Sequence, residues 1–118
     1  MNLFEKYGGS SFWSEFLNTW YSRVTCSDSL SNFFSRIKIE DVKTILLGIL
    51  ESTLISEGNY PKDVLGDIHK RMNISDSDFN IWKKIYESIL NDMGISNEDS
   101  EKILTLIEGY RSCIVSIT

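Results

Sequence analysis

Apolar side chains recur along this chain at the three- and four-residue spacing of helices, and no run alternates as a strand would. After the Gly8-Gly9 pair they fall at Phe12, Trp13, Phe16, Leu17, Trp20, Tyr21 and Val24, a broad stripe that predicts one long amphipathic helix. A turn at Ser27-Asp28-Ser29 follows, then Leu30, Phe33 and Phe34. From about Glu40 to Ser56, Val42, Ile45, Leu46, Ile49 and Leu50 share a face. Gly58-Asn59-Tyr60-Pro61 forms a loop, and Pro61 or Lys62 suits the start of a short helix carrying Val64, Leu65, Ile68, His69 and Met72. Ser75 caps a further helix with Asp76 and Asp78 in its first turn, and Gly94 closes it. Its face holds Phe79, Trp82, Ile85, Tyr86, Ile89, Leu90 and Met93. Ser96, with Asp99 in the first turn, opens a last helix that turns Ile103, Leu104, Ile107, Tyr110 and Ile114 inward. The pattern predicts an all-α chain of about five helices.

Composition narrows the functional classes. A length of 118 residues suits one domain over 1–118, and 42% hydrophobic content excludes disorder. A net charge of -5 argues against nucleic acid as a partner, because phosphate binding takes clustered Lys and Arg. The longest apolar run, around Ile45 to Leu50, falls far short of the roughly 20 residues of a membrane span, so no membrane partner is expected. Cys26 and Cys113 form no metal-binding pattern, and the amino terminus lacks the basic start and apolar run of a secretion signal. A cytoplasmic location is the simpler expectation.

Few residues offer chemistry. There is no Gly-rich phosphate loop, HExxH pattern or Ser/His/Asp set. The carboxylates Glu40-Asp41 and Asp76-Asp78 lie at helix starts, where they cap and offset the dipole, and Lys83-Lys84 faces solvent. His69 is the single histidine, on an apolar face, where a satisfied core residue is the commoner reading. The neighbouring aromatics change that balance. They either close on one another as a core or enclose a flat apolar cofactor and leave His69 to ligate its metal.

Several ordered segments favour the second possibility. Leu3-Phe4-Glu5-Lys6-Tyr7-Gly8-Gly9 is similar to an "LYEKIGG" opening, Trp20-Tyr21-Ser22-Arg23-Val24 to "FYERV", and Leu30-Ser31-Asn32-Phe33-Phe34 to "LAPFF". Tyr60 precedes Ile68-His69-Lys70-Arg71-Met72-Asn73-Ile74, which is similar to "AHxxLxI". Phe79-Asn80-Ile81-Trp82 and Met93-Gly94-Ile95 continue the series. Over nearly the whole chain, these segments resemble the truncated haemoglobins, the short bacterial, ciliate and plant branch of the globins.

The resemblance implies two helices packed on two around haem b (iron protoporphyrin IX). It assigns the cofactor pocket to Tyr21, Phe33, Phe34, Val42, Leu46 and Tyr60 on one part of the chain. Leu65, His69, Ile74, Phe79 and Trp82 complete the pocket. Within it, His69 matches the proximal iron ligand, Tyr21 the distal hydroxyl donor and Phe34 the ring on the porphyrin face. Val42 and Leu46 are apolar at two distal positions that are often polar in the family, which leaves Tyr21 and Trp82 as donors. The glycine pair expected before the short proximal helix is reduced to Gly58. The second subgroup, which commonly joins an apolar distal pair to that tryptophan, fits narrowly best. The implied function is reversible binding of dioxygen or another diatomic gas (NO, CO) for transport, sensing or nitric oxide detoxification. Detoxification would be a dioxygenase-like enzyme activity that needs an external reductase. A monomer or weak homodimer is expected. The competing class is a haem-free, globin-shaped sensor or interaction domain with His69 in its core.

Overall fold

The computed structural model describes residues 2–28, 30–34, 39–56, Gly66, His69 and 73–115, with the backbone alone for Ile39 and Val42. A short helix α1 (Leu3–Lys6) begins where the Asn2 side chain accepts from the Glu5 N–H at 2.9 Å. It is one turn long, too short to leave a periodic trace in the sequence. α2 (Gly9–Thr25) follows at once through Gly8 (φ 125°) and Gly9 (φ 64°). Both glycines occupy the backbone region that side chains disfavour, and a Cβ on Gly8 would lie 3.1 Å from that of Phe12. A 3₁₀ turn spans Ser31–Phe34, and α3 spans Ile39–Ser56.

α4 (Asp76–Asp92) starts at the predicted Ser75 cap, and the cap proves reciprocal. Asp78 N–H donates to Ser75 Oγ and Ser75 N–H to Asp78 Oδ2, both at 3.1 Å. Gly94, at φ 80°, lies just past its end. Ser96 caps α5 (Asn97–Glu108) from one side only: Asp99 N–H donates to Ser96 Oγ at 3.2 Å, while the Ser96 N–H donates to the Tyr7 hydroxyl at 3.4 Å. The single last helix of the sequence reading is divided. α5 ends at Glu108, and α6 (Arg111–Ile114) begins after Gly109-Tyr110. Two side chains favour the break: Tyr110 is buried and shares a 2.8 Å hydrogen bond with Thr53 of α3, and Arg111 turns back toward α4.

α2 packs on both α3 and α4, α4 packs on α5, and α1 closes on α2 and α3. Trp13, Phe16, Leu17, Val24, Ile89, Leu90 and Ile103 are almost fully buried between them. Much of this core is a run of touching rings. Tyr7, Phe12, Trp13, Phe16, Tyr86, Trp82 and Phe79 follow one another at centroid separations of 4.8–5.7 Å. Trp13 is fixed further by its indole N–H, which donates to the Phe4 carbonyl at 3.0 Å.

Two polar clips tie the chain ends to this frame. The nearly buried Asp99 accepts from Lys6 Nζ at 2.7 Å and from the Tyr7 hydroxyl, and these bonds hold its carboxyl below the usual range. At the other end, Arg111 donates to Glu108 (2.5 Å), Asp76 (3.1 Å) and Asn80 (2.6 Å), and its guanidinium lies 4.3 Å from the centre of the Phe79 ring. Lys83 is not the freely solvated lysine that the sequence reading expects. It is partly buried and pairs with Glu108 at 2.9 Å. Arg111 first and Lys83 second draw the Glu108 carboxyl down to about 2 from 4.5.

A carboxylate lowered in the folded state stabilises the fold above its ordinary value, and that contribution is lost as pH falls through the folded value. Glu108→Gln should therefore melt below wild type at neutral pH. The gap should close between pH 4.5 and about 2. Melting curves across that range check it, and a gap that stayed constant down to pH 2 would contradict the assignment. Asp99 titrates in the same direction in both proteins and so drops out of the difference.

Candidate functional site

The apolar face of α3 is not closed the way a core helix would be. Leu50 and Leu54 are buried, but Leu46 and Ile49 are half-buried and Ile45 is 55% exposed. These three side chains border a cavity of about 370 Å³, within the range of small-molecule and cofactor sites. Trp20 and Leu30 form one wall, Phe33 and Phe34 of the 3₁₀ turn a second, and Phe79 and Trp82 of α4 a third. Ile74 and Ile114 add to these, and His69, which is helical and half-buried, brings the imidazole. Asp41 and Asp78 supply the carboxylates of the lining.

Local sequence explains this geometry. The capping box sets the register of α4, so Phe79 and Trp82, three residues apart, fall on one side with ring centroids 5.1 Å apart. The back of Phe79 is covered by Arg111. Phe34 is wedged edge-on against Trp20 at 5.4 Å and against Tyr21 at 6.4 Å. Trp20 is 2% exposed, and among the described residues its indole Nε1 has no hydrogen-bond partner, unlike that of Trp13.

Phe33, Phe34, Leu46, His69, Ile74, Phe79 and Trp82, all expected at one pocket from the sequence, do share these walls. Tyr21 stands beside them, half-buried, and touches Phe34 without lining the cavity itself. Tyr60 and Leu65 lie outside the described residues, and Val42 is described by its α3 backbone alone. Sequence reasoning had assigned Trp20, Leu30, Ile45, Ile49 and Ile114 to packing stripes and had treated Asp41 and Asp78 as helix-start charges only. Ile45 and Ile49 flank Leu46 on the same helical face, so spacing alone marked them as neighbours of a pocket residue.

The family model for bacterial-like globins matches residues 2–116. The chain belongs to the bacterial-like globin family. Solved structures agree on the fold. The truncated haemoglobin of Tetrahymena pyriformis, in its Fe(III) form, superposes with a TM-score of 0.86 at 18% identity over 98% of each chain. The 2/2 haemoglobin of Synechococcus sp. PCC 7002, in the cyanomet state with covalently attached haem, gives 0.84 at 15% identity, again over 98% of each. A search of curated proteins finds no significant match. This globin thus has the two-on-two helical fold of the truncated haemoglobins, and membership of the bacterial-like globin family implies haem binding.

The residues present fit that group. A slot walled by aromatic rings and branched aliphatics suits a flat apolar macrocycle, and one imidazole suits the metal at its centre. Among the described residues, no helix is long and apolar enough to cross a membrane.

Leu46→Phe tests whether the α3 stripe borders open space. Filling a cavity should stabilise the guest-free globin by about 0.5–2 kcal/mol in chemical denaturation and weaken uptake of any guest. A tightly packed core would respond with the opposite sign, losing about 1–3 kcal/mol.

Proposed function

We propose that this globin binds haem b in the cavity with His69 as the sole protein ligand of the iron, and reversibly holds a diatomic gas, dioxygen before NO or CO. One observation carries the reading: the only histidine of the chain borders an apolar, aromatic-walled cavity. A metal held by one imidazole must bring its other ligands with it, as a macrocycle does. Bound haem supplies an iron with one coordination position left for the gas.

The rest is the work of the chain itself. A neutral His69 imidazole offers one nitrogen lone pair to a metal and keeps its other nitrogen as a donor. Phe34, Phe79 and Trp82 cover a flat ring system and keep water from it. On the cavity wall, Leu46 can neither donate nor accept a hydrogen bond. The donors in this reading are the indole N–H of Trp82, on the cavity wall, and the hydroxyl of Tyr21, whose ring stands beside the cavity and edge-on to Phe34.

A hydrogen bond to a charge-bearing acceptor is worth roughly 1.5–3 kcal/mol. Tyr21→Phe, which deletes the hydroxyl and nearly preserves the ring, should therefore speed oxygen release about tenfold or more. Carbon monoxide carries less charge when bound, so its release should change much less. Stopped-flow release of both gases from the haem-loaded protein checks this. Oxygen release within twofold of wild type would remove Tyr21 from the role.

A further inference from the structure

Trp20 is polar in the wrong place for a filler residue. It is 2% exposed, it borders the cavity, and its Nε1 is buried with no acceptor. The indole of Trp13, on the same helix, donates to the Phe4 carbonyl, so an unmet N–H is not a general feature of this core. Phenylalanine would fill the same wall against Phe34 without burying a donor. Buried donors in folded proteins are nearly always met, and this one, on a residue of the cavity wall, is met by nothing among the described residues.

We propose that the Trp20 indole N–H donates a hydrogen bond to an acceptor that enters with the haem complex, a partly or fully anionic oxygen or nitrogen atom. The inference rests on the haem reading above and adds a donor to it beyond Tyr21 and Trp82. Two sources carry that chemistry: a carboxylate of the haem itself and a small anionic ligand on the iron.

The test compares Trp20→Phe with wild type, free and hemin-loaded. The substitution removes an unmet donor but also buried ring volume, so the readout is the rise in melting temperature that hemin gives to each protein. That rise should be smaller in Trp20→Phe than in wild type, because only the loaded state contains the bond. Trp13→Phe is the control and should lower both states alike, since its bond is present throughout. An azide affinity of the ferric protein reduced about tenfold would assign the acceptor to the small ligand. A reduced hemin affinity with azide binding unchanged would assign it to the haem carboxylate. If Trp20→Phe does not fold, exchange of the Trp20 indole proton in the azide-bound ferric protein, which holds both candidate acceptors, serves instead, identified against Trp13→Phe and Trp82→Phe. It should be slower than in the guest-free protein. Equal hemin stabilisation, hemin affinity and azide affinity in wild type and Trp20→Phe, or an indole exchange no slower than in the guest-free protein, would overturn the proposal and leave the haem reading standing. Failure of the wild type itself to take up hemin would overturn both.

Discussion

An apolar helix face exposed to water is a free-energy debt, and in this globin the middle of α3 lacks a cover among the described residues. Leu50 and Leu54 are buried by neighbouring helices, whereas Ile45, Leu46 and Ile49 border open space. Fully covering one such side chain contributes about 1.5–3 kcal/mol, so leaving several uncovered weakens the fold unless something else binds there. The opposing walls follow the same rule. Phe33, Phe34 and Trp82 are only partly buried, although aromatic rings of this size normally dominate a core. Haem is the guest that family membership implies, and its flat apolar faces match this uncovered surface.

An open slot persists only if the frame around it resists collapse. The run of rings from Tyr7 to Phe79 spans the bundle from its amino-terminal end to the cavity wall. Each ring is braced by the next, so a wall residue cannot swing inward without disturbing its neighbours. Arg111 finishes the run at the far side of Phe79 and joins α4, α5 and α6 through Asp76, Asn80 and Glu108. Asp99 performs the matching task near the other end through Lys6 and Tyr7. These exposed or partly exposed ion pairs contribute modest energy singly, and their value here lies in fixing geometry. The shape of the cavity thus depends on side chains such as Arg111 and Asp99 that do not line it.

Much of this was legible in the residues. The helix starts at Ser75 and Ser96 are written by short polar side chains ahead of carboxylates, and both caps form as the pattern demands. The stripes of α2 and α4 follow from spacing alone. The division at Gly109-Tyr110 was not legible, because it depends on contacts to Thr53 and α4 that are distant in sequence. Nor could periodicity distinguish a covered stripe from an uncovered one: Ile45, Leu46 and Leu50 look equivalent on a helical wheel, and only the tertiary arrangement separates them. The pocket residues Phe34, His69, Phe79 and Trp82 were found through resemblance to a family, since residue chemistry alone favoured a core role for a lone histidine. Trp20 escaped notice because its place in the stripe already explained it. Its unmet indole N–H becomes visible only when its surroundings are known.

The uncovered face of α3 gives the most direct measurement, hemin titration of the guest-free protein beside His69→Ala. Wild type should form a tight one-to-one complex with an intense Soret band. Its melting temperature should rise steeply, because a ligand that binds only the folded state stabilises it by about 4 kcal/mol at a thousandfold excess over its dissociation constant. His69→Ala should lose most of that band and that gain. Weak, non-stoichiometric uptake with no rise in melting temperature, or a His69→Ala spectrum and affinity equal to wild type, would contradict a haem site built on this cavity and this histidine.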